Sequence, residues 1–493
     1  MAVVYPNNYR VGMSNLGYQT ILRAFLEDRR FDARRVFWDG TSLTFPDGGR
    51  SLQEFDAVAL SVSYQPDMVH LPRLLETGRV LAASKTDRPL LIAGGVALTI
   101  NPETCAPVFD AVFLGDAEPV LPGLMDNLAS SADREGLLDG MGMIAGAYVP
   151  GRYQGEEAPG SSFLLPRPAA GGPFTVSPAL LGDLNNNPAR PAVISTGSEF
   201  GNLYPLEVSR GCGAGCLFCA AGAVCGPVRF LGMKSFEKEA ERGLHYRRTI
   251  GLVGTAVSYH PELERMAGHL LDRGGGFSPS SLRVERITPQ LAELLVRSGH
   301  RTVSLAPEAG SEDLRSAIGK RITDVQFLQK TDILLKAGVP NLKLYFMVGL
   351  PGERESDVDG IVGLVRKLRE RVIHWGRPRG KAGTITVSVN PFVPKPRTAF
   401  ERVPIASETT LAQRLKKVRS GLGPLGGVKV QTGSVRGAYL DALLSLGDRS
   451  VADVLDKLPP GGVSMKRLAK VLPKAEQILY GRDTGELPWE FIK

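Results

Sequence analysis

The chain has 493 residues, of which 43% are hydrophobic and 22% charged, with a formal net charge of +8 and five cysteines. That length exceeds what one core serves and predicts several domains, while the ordinary composition excludes a chain dominated by disorder. No apolar run reaches the roughly 18–20 residues that cross a bilayer, and the opening MAVVYPNNYR lacks the order of a signal peptide, so a cytoplasmic location is expected. A reducing compartment also suits the cysteines, because three of the five share one loop, where thiols act as ligands rather than staples.

Residues 1–130 alternate strand-like and helix-like patterns, which predicts a doubly wound, Rossmann-like α/β domain. Ala2–Tyr5 is the first apolar strand, and Ser14 is the N-cap candidate of a helix whose apolar face holds Leu16, Ile21, Leu22 and Phe25. Arg35–Trp38 and DAVALSVSY (56–64) are the next strands, followed by a helix over 66–84. PLLIAGGVAL is a continuous apolar strand ending in Gly94 and Gly95, and DAVFLGDAE (110–118) is the last strand, closed by the helix EPVLPGLMDNL. Ligands of such a sheet meet the carboxyl ends of its strands, which here carry Ser61, Ser63, Gly94, Gly95 and Gly115. Clusters of Pro, Gly, Ser and Asn then interrupt the pattern over 131–202 and predict a linker that clasps two domains, with a strand at MIAGAYVP.

The apolar run Leu203–Val208 reads as a buried strand that leads into RGCGAGCLFC, residues 210–219. Its Cys212, Cys216 and Cys219 cannot pair off evenly into disulfides and fall one short of a closed four-cysteine zinc site. A 4Fe-4S cluster held by three thiolates leaves one iron open. Glycines 211, 213 and 215 let the loop wrap closely and turn amides toward anionic sulfurs, and Phe218 shields one side. A structural zinc site with a distant fourth ligand is the alternative. Strands then recur with helices between them: TIGLVGTAV (249–257) with Gly254, SSLRVERI (280–287) with Arg283 and Glu285 on one face, and TVSLAPEAGSEDL (302–314) with Glu308. LKLYFMVGLPGE (342–353) breaks at Gly349, and TITVSVNPFVPKPRTAF (384–400) is the sixth. Six such strands over 203–400 predict a partial (β/α)6 barrel, open on one side, and 401–493 reads as a mostly helical region with one short strand, GVKVQ.

The cysteine array, with an aromatic residue before its last cysteine, resembles the radical S-adenosylmethionine (SAM) superfamily. The resemblance implies that the open iron chelates the amino and carboxylate groups of SAM and that an electron splits it to a 5'-deoxyadenosyl radical. It further implies Gly254 at the methionyl backbone contact, Arg283 at the SAM carboxylate, Glu308 near the ammonium or ribose, and Gly349 at the adenine. A rim salt bridge for Arg283 and a capping role for Glu308 are the plainer alternatives. Gly-Thr-Ala stands after the second strand where Gly-Gly-Glu is commoner. The first domain resembles the cobalamin-binding-like domain that precedes many such cores, with Ser61-x-Ser63, Gly94-Gly95 and GDAE as its ligand-facing loops. Resemblance thus assigns Ser61, Gly94 and Gly95 to a cobalamin site. No Asp-x-His-x-x-Gly is present to ligate cobalt, and a scaffold whose glycines only close turns is the alternative.

Such an enzyme would take a small-molecule or lipid-like substrate and an external electron donor of flavodoxin or ferredoxin type. Bound corrinoid would make methyl transfer the outcome; without it, a rearrangement, oxidation or cyclisation follows. A tRNA methylthiotransferase would need a second three-cysteine cluster, which Cys105 alone cannot supply. Residues 360–420 carry fourteen Lys or Arg against three Glu, which admits nucleic acid as a partner, although the runs VRKLRER and QRLKKVR read as solvated helix faces. Cys225 reads as a buried free thiol rather than a hydrogen donor.

Overall fold

The structure is a computed structural model that describes the chain apart from residues 82–86, 159, 170–172, 256, 281 and 482–483. Strands β1 (Ala2–Tyr5), β2 (Arg34–Trp38), β3 (Leu43–Thr44), β4 (Ala57–Ser61), β5 (Leu90–Gly94), β6 (Ala111–Phe113) and β7 (Ala147–Tyr148) form one sheet in the order β3-β2-β1-β4-β5-β6-β7. The five inner strands are parallel, and β3 and β7 close the edges antiparallel. Every residue of β1 and β4 is buried, as expected for strands covered on both faces. Helices Leu16–Glu27 and Leu121–Leu128 cover one face, where Val3, Ala59, Ile92 and Phe113 meet Leu22, Phe25 and Leu124.

Three local expectations change. The cap of helix Leu16–Glu27 is Asn15, whose side chain accepts from the Tyr18 amide; Ser14 is engaged earlier, donating to the Arg10 carbonyl. The helix expected over 66–84 is a 3-10 turn, Gln65–His70, followed by a helix that ends at Thr77, because Pro66 and Pro72 each start a segment and Gly78 stops the second. The tail of that expectation, 82–84, lies outside the described residues, as do Ala256 and Ser281 of two expected barrel strands. The strand read in MIAGAYVP is β7, so part of the expected linker completes the first sheet. A hairpin of β8 (Tyr153–Glu157) and β9 (Leu164–Pro168) follows.

The half barrel starts at β10 (Leu203–Arg210), with β11 (Arg229–Phe230) antiparallel to its end. Strands β12 (Thr249–Gly254) and β13 (Gly276–Pro279) continue in parallel, and β14 (Thr302–Glu308), β15 (Asn341–Val348), β16 (Ile385–Pro391) and β17 (Val428–Thr432) form a second parallel set. The third strand is therefore not 280–287. Leu282, Val284 and Ile287 are buried, but Val284–Arg286 is a 3-10 turn after Arg283, and the pairing segment is the preceding Gly-Phe-Ser-Pro, too short to read as a strand. GVKVQ is β17, a seventh parallel strand rather than part of a separate helical region. In β15 the alternation is regular: Leu342, Leu344, Phe346 and Val348 are buried while the intervening residues lie on the other face, which leaves Tyr345 and Met347 for the cavity described below.

The C-terminal helix Val435–Leu446 returns to the first sheet. Asn101 donates to the carbonyls of Ser445 and Gly447, Thr104 to that of Leu444, and Arg449 pairs with the fully buried Glu103. One apolar core runs from Val4, Val58 and Leu91 to Leu252, Leu344 and Leu443, so the two sheets share an interior. No helix among the described residues is long and apolar enough to cross a membrane.

Candidate active site

The cysteine loop is an excursion closed at its base. Ser209 pairs with Phe230 and Arg210 with Arg229, so residues 211–228 leave and rejoin one antiparallel ladder. Gly211 has a φ of 80°, and a Cβ there would lie 2.4 Å from the Pro227 carbonyl oxygen, so only glycine lets the two limbs approach this closely. Inside the loop the Cys219 amide donates to the Cys216 carbonyl, and the Leu217 amide to that of Ile318, which ties the loop to the helix after β14. Phe218 packs on Leu314, Ile318 and Phe392.

Cys212, Cys216 and Cys219, all free thiols, line a cavity of about 830 Å³. Burial pushes the Cys219 thiol above its ordinary value, and the neighbouring Cys216 and Cys212 add to that rise after opposition from the Ala221 amide. Thiolates here need cationic compensation, and Arg283 supplies part of it: its Nη1 lies 3.3 Å from Cys216 Sγ. Burial opposes its charge, but the Cys216 sulfur and Glu285 outweigh burial and hold the guanidinium protonated. Arg283 Nε pairs with Glu285 at 2.5 Å, Tyr259 donates to the same carboxylate, and Arg283 and Arg286 both lie over the Tyr259 ring. Across the cavity Lys320 Nζ pairs with Glu308 at 3.2 Å and donates to the Ala306 carbonyl. Glu308 has a φ of 69°, a left-handed conformation rare outside glycine, at the point where β14 turns into its helix. Buried Arg315 holds that turn by donating to the carbonyls of Ala309 and Gly310.

A second cavity, about 450 Å³, lies at the carboxyl ends of β4, β5 and β6, walled by helices Leu16–Glu27 and Leu121–Leu128. Ser61, Ser63, Gly94, Gly95 and Gly115 all line it, with Ala59, Ile92 and Phe113 deeper in. Gly95, at a φ of 122°, sits so close to the Val62 carbonyl that a Cβ would lie 2.3 Å from its oxygen. The GDAE loop has an additional partner: Asp116 and Glu118 bind Arg210 of β10, and Asp116 also binds Arg229 of β11. This buried network joins the first sheet to the strand that launches the cysteine loop.

Of the residues expected from sequence, Cys212, Cys216, Cys219, Arg283 and Glu308 line the larger cavity and Ser61, Gly94 and Gly95 the smaller one, and the three thiols are not drawn together into a metal-ligating group among the described residues. Gly254 packs against Ser209, with its neighbour Thr255 on the larger cavity wall, and Gly349 packs against Leu411, with Phe346 and Met347 on the wall. Sequence reasoning missed Lys320, Tyr345, Asn390 and Arg397, which also line the larger cavity. Their positions gave little signal: Tyr345 and Asn390 lie within barrel strands, Arg397 follows one, and Lys320 follows the helix after β14, and none belongs to a pattern with a chemical meaning of its own.

The model of the radical SAM superfamily matches residues 206–365, and that of the N-terminal region of radical SAM proteins matches residues 20–150. Over those residues the core of the chain is similar to the radical SAM superfamily, and the α/β region ahead of it is similar to the N-terminal region of radical SAM proteins. An uncharacterized protein of Methanocaldococcus jannaschii is 25% identical over 96% of this chain and 95% of its own length. An uncharacterized methyltransferase of Pyrococcus horikoshii is 24% identical over 66% of this chain and 68% of its own. The ribosomal protein uS12 methylthiotransferase RimO of Desulforudis audaxviator is 28% identical over 36% of this chain and 42% of its own. Among solved structures, the cobalamin-dependent SAM radical enzyme OxsB, with aqua-cobalamin and SAM bound, superposes with a TM-score of 0.51 at 13% identity. That match covers 74% of this chain, which spans about half of OxsB, 51% of its length.

Proposed function

We propose that the protein is a cytoplasmic radical SAM enzyme that starts radical chemistry on an unactivated C–H bond and transfers a methyl group with the help of a corrinoid. The observation that supports the first part is that three free thiols, with an arginine donor on one of them, line one large cavity at the carboxyl ends of the barrel strands. When bound, a 4Fe-4S cluster supplies the electron that cleaves SAM to methionine and the radical that takes the hydrogen atom. Cys212, Cys216 and Cys219 would hold it, Arg283 offsets the sulfur charge, and the Glu308–Lys320 pair fixes the polarity of the facing wall. A flavodoxin or ferredoxin type donor and a small-molecule or lipid-like substrate complete this reading.

The corrinoid part rests on the second cavity: a slot of small and apolar side chains with hydroxyls at its rim suits a flat heteroaromatic tail. Ser61, Gly94 and Gly95 would hold that tail; a bound corrinoid supplies the methyl group. A corrinoid-free oxidoreductase or rearrangement enzyme is the rival outcome, favoured by the engagement of Gly95 in packing on Val62. Reconstituting the protein with iron and sulfide and reducing it with SAM tests the core reading, and a failure to form 5'-deoxyadenosine would sink it. Incubation with hydroxocobalamin tests the second part, where the expected result is a corrinoid absorbance band that survives desalting.

A further inference from the structure

Three cations line the large cavity, and two of them are neutralised there: Arg283 by Glu285 and the Cys216 sulfur, Lys320 by Glu308. The third, Arg397, feels the Glu401 carboxylate but has no ion pair within 4 Å and no guanidinium hydrogen bond among the described residues, and its Nη1 is shut off from solvent with no partner. Leaving a half-buried guanidinium unpaired is unfavourable, because it gives up water without a replacement acceptor. The backbone adds a second cost: Arg397 has a φ of 62°, one of three non-glycine residues with positive φ among the described residues. Such strain persists only where the surroundings enforce it. Here the Arg397 amide donates to Glu401, which also accepts from the indole of the buried Trp489, and Thr398 donates to the Lys395 carbonyl. The turn is thus held from outside so that an unpaired cation stands at the cavity. Tyr345 and Asn390 share this wall, and neither side chain has a hydrogen bond among the described residues.

We infer that Arg397 recognises a carboxylate or phosphate on the molecule that undergoes the radical reaction, so that the substrate is an anion. The inference rests on the radical SAM reading for the identity of the cavity. Arg397 follows β16, whereas the cysteines follow β10, and these strands belong to separate four-stranded sets that contribute to one cavity. The methionyl carboxylate of SAM is the other source of the same chemistry, and the test separates the two.

Full-length protein reconstituted with iron and sulfide is treated with phenylglyoxal, an arginine-directed reagent, and the Arg397 adduct is measured by peptide mass spectrometry. The adduct is expected to persist with SAM alone and to fall about tenfold when inorganic phosphate or benzoate is added with it, the size of one charge-assisted contact. An equal fall with SAM alone, missing with decarboxylated SAM, assigns Arg397 to the methionyl carboxylate and overturns the inference of an anionic substrate. An adduct unmoved by all of these anions overturns the inference, as does an Arg397 that never reacts. Calorimetry gives a second measurement: without SAM, phosphate binding should weaken about tenfold in Arg397→Gln and recover in part in Arg397→Lys. Equal affinity in all three proteins also overturns it. Formation of 5'-deoxyadenosine by the wild type in the same preparation reports on the radical SAM reading separately, since it does not require Arg397 to meet a substrate.

Discussion

The cavity beside the cysteine loop and the cavity at the end of the first sheet are separated by one short helix, Ala221–Val224, which packs against Ile100 of the first domain. Their walls differ. The larger carries three thiols, three cations and two carboxylates, while the smaller is lined by Ala, Gly, Ile, Leu and Phe with hydroxyls and the Arg210 network at its rim. A charged wall requires particular residues at particular points, because each buried charge must find a partner or a ligand. An apolar slot requires only that side chains stay small, so it is defined by shape and can be closed by a few methyl groups.

The sharpest break in that comparison is at the cysteines. Cys216→Ala should remove essentially all cluster iron and all SAM cleavage, whereas Cys225→Ala, whose thiol faces the smaller cavity and is pushed up to about 11 by burial, should keep both. Iron content and 5'-deoxyadenosine check this, and loss of iron from the Cys225 variant would show that the ligands are misassigned. Next, Ala59→Leu should fill the smaller cavity and abolish corrinoid uptake with the cluster intact, at a cost of about 1–3 kcal/mol from overpacking, read by denaturant titration.

A further contrast is in pH response. Burial pushes the Glu353 carboxyl up to about 7 from an ordinary 4.5, against the Gly349 amide and Arg414 that favour its charged form. A carboxyl whose folded pKa is raised binds its proton more tightly when folded, so stability should fall as pH rises from about 4.5 through 7, by at most about 3 kcal/mol. Glu353→Gln should flatten that dependence, as followed by denaturation at several pH values. The smallest effect is expected at Arg283→Gln, which removes the donor to Cys216 Sγ but no ligand. Iron content should be unchanged, and the cluster's midpoint potential, measured by EPR titration, should become more negative because the sulfur charge is less offset.

Much of the first sheet was legible in the sequence, since fully buried strands such as β4 and β5 are continuous apolar runs bounded by turn residues. The barrel strands β14 and β15 were legible for the opposite reason, a regular alternation that ends in Glu308 and Gly349. The third strand was misread because the apolar Leu282, Val284 and Ile287 lie in and beside a 3-10 turn, while the strand that pairs with β12 is four residues rich in Gly, Ser and Pro. The basic stretch at 360–420 also changes meaning in three dimensions. Lys367 pairs with Asp324, Arg371 with Asp332, Arg414 with Glu353, and Lys417 with Glu355 and Asp359, acidic partners that lie outside the window in which its charge was counted or on a neighbouring helix.

Residues 210–219 by themselves carried the reading of a cysteine-ligated centre, because three cysteines and flexible glycines within ten positions are a local arrangement, legible without the rest of the chain. Tertiary structure alone decided what surrounds it: that Arg283 reaches Cys216 from a turn rather than a strand, that Arg210 and Asp116 bind the two sheets beside the loop, and that Arg397 stands without an ion pair on the same cavity. The reason is physical. Ligand spacing is set by neighbours along the chain, whereas the pairing of a charge depends on which elements packing brings within hydrogen-bond reach.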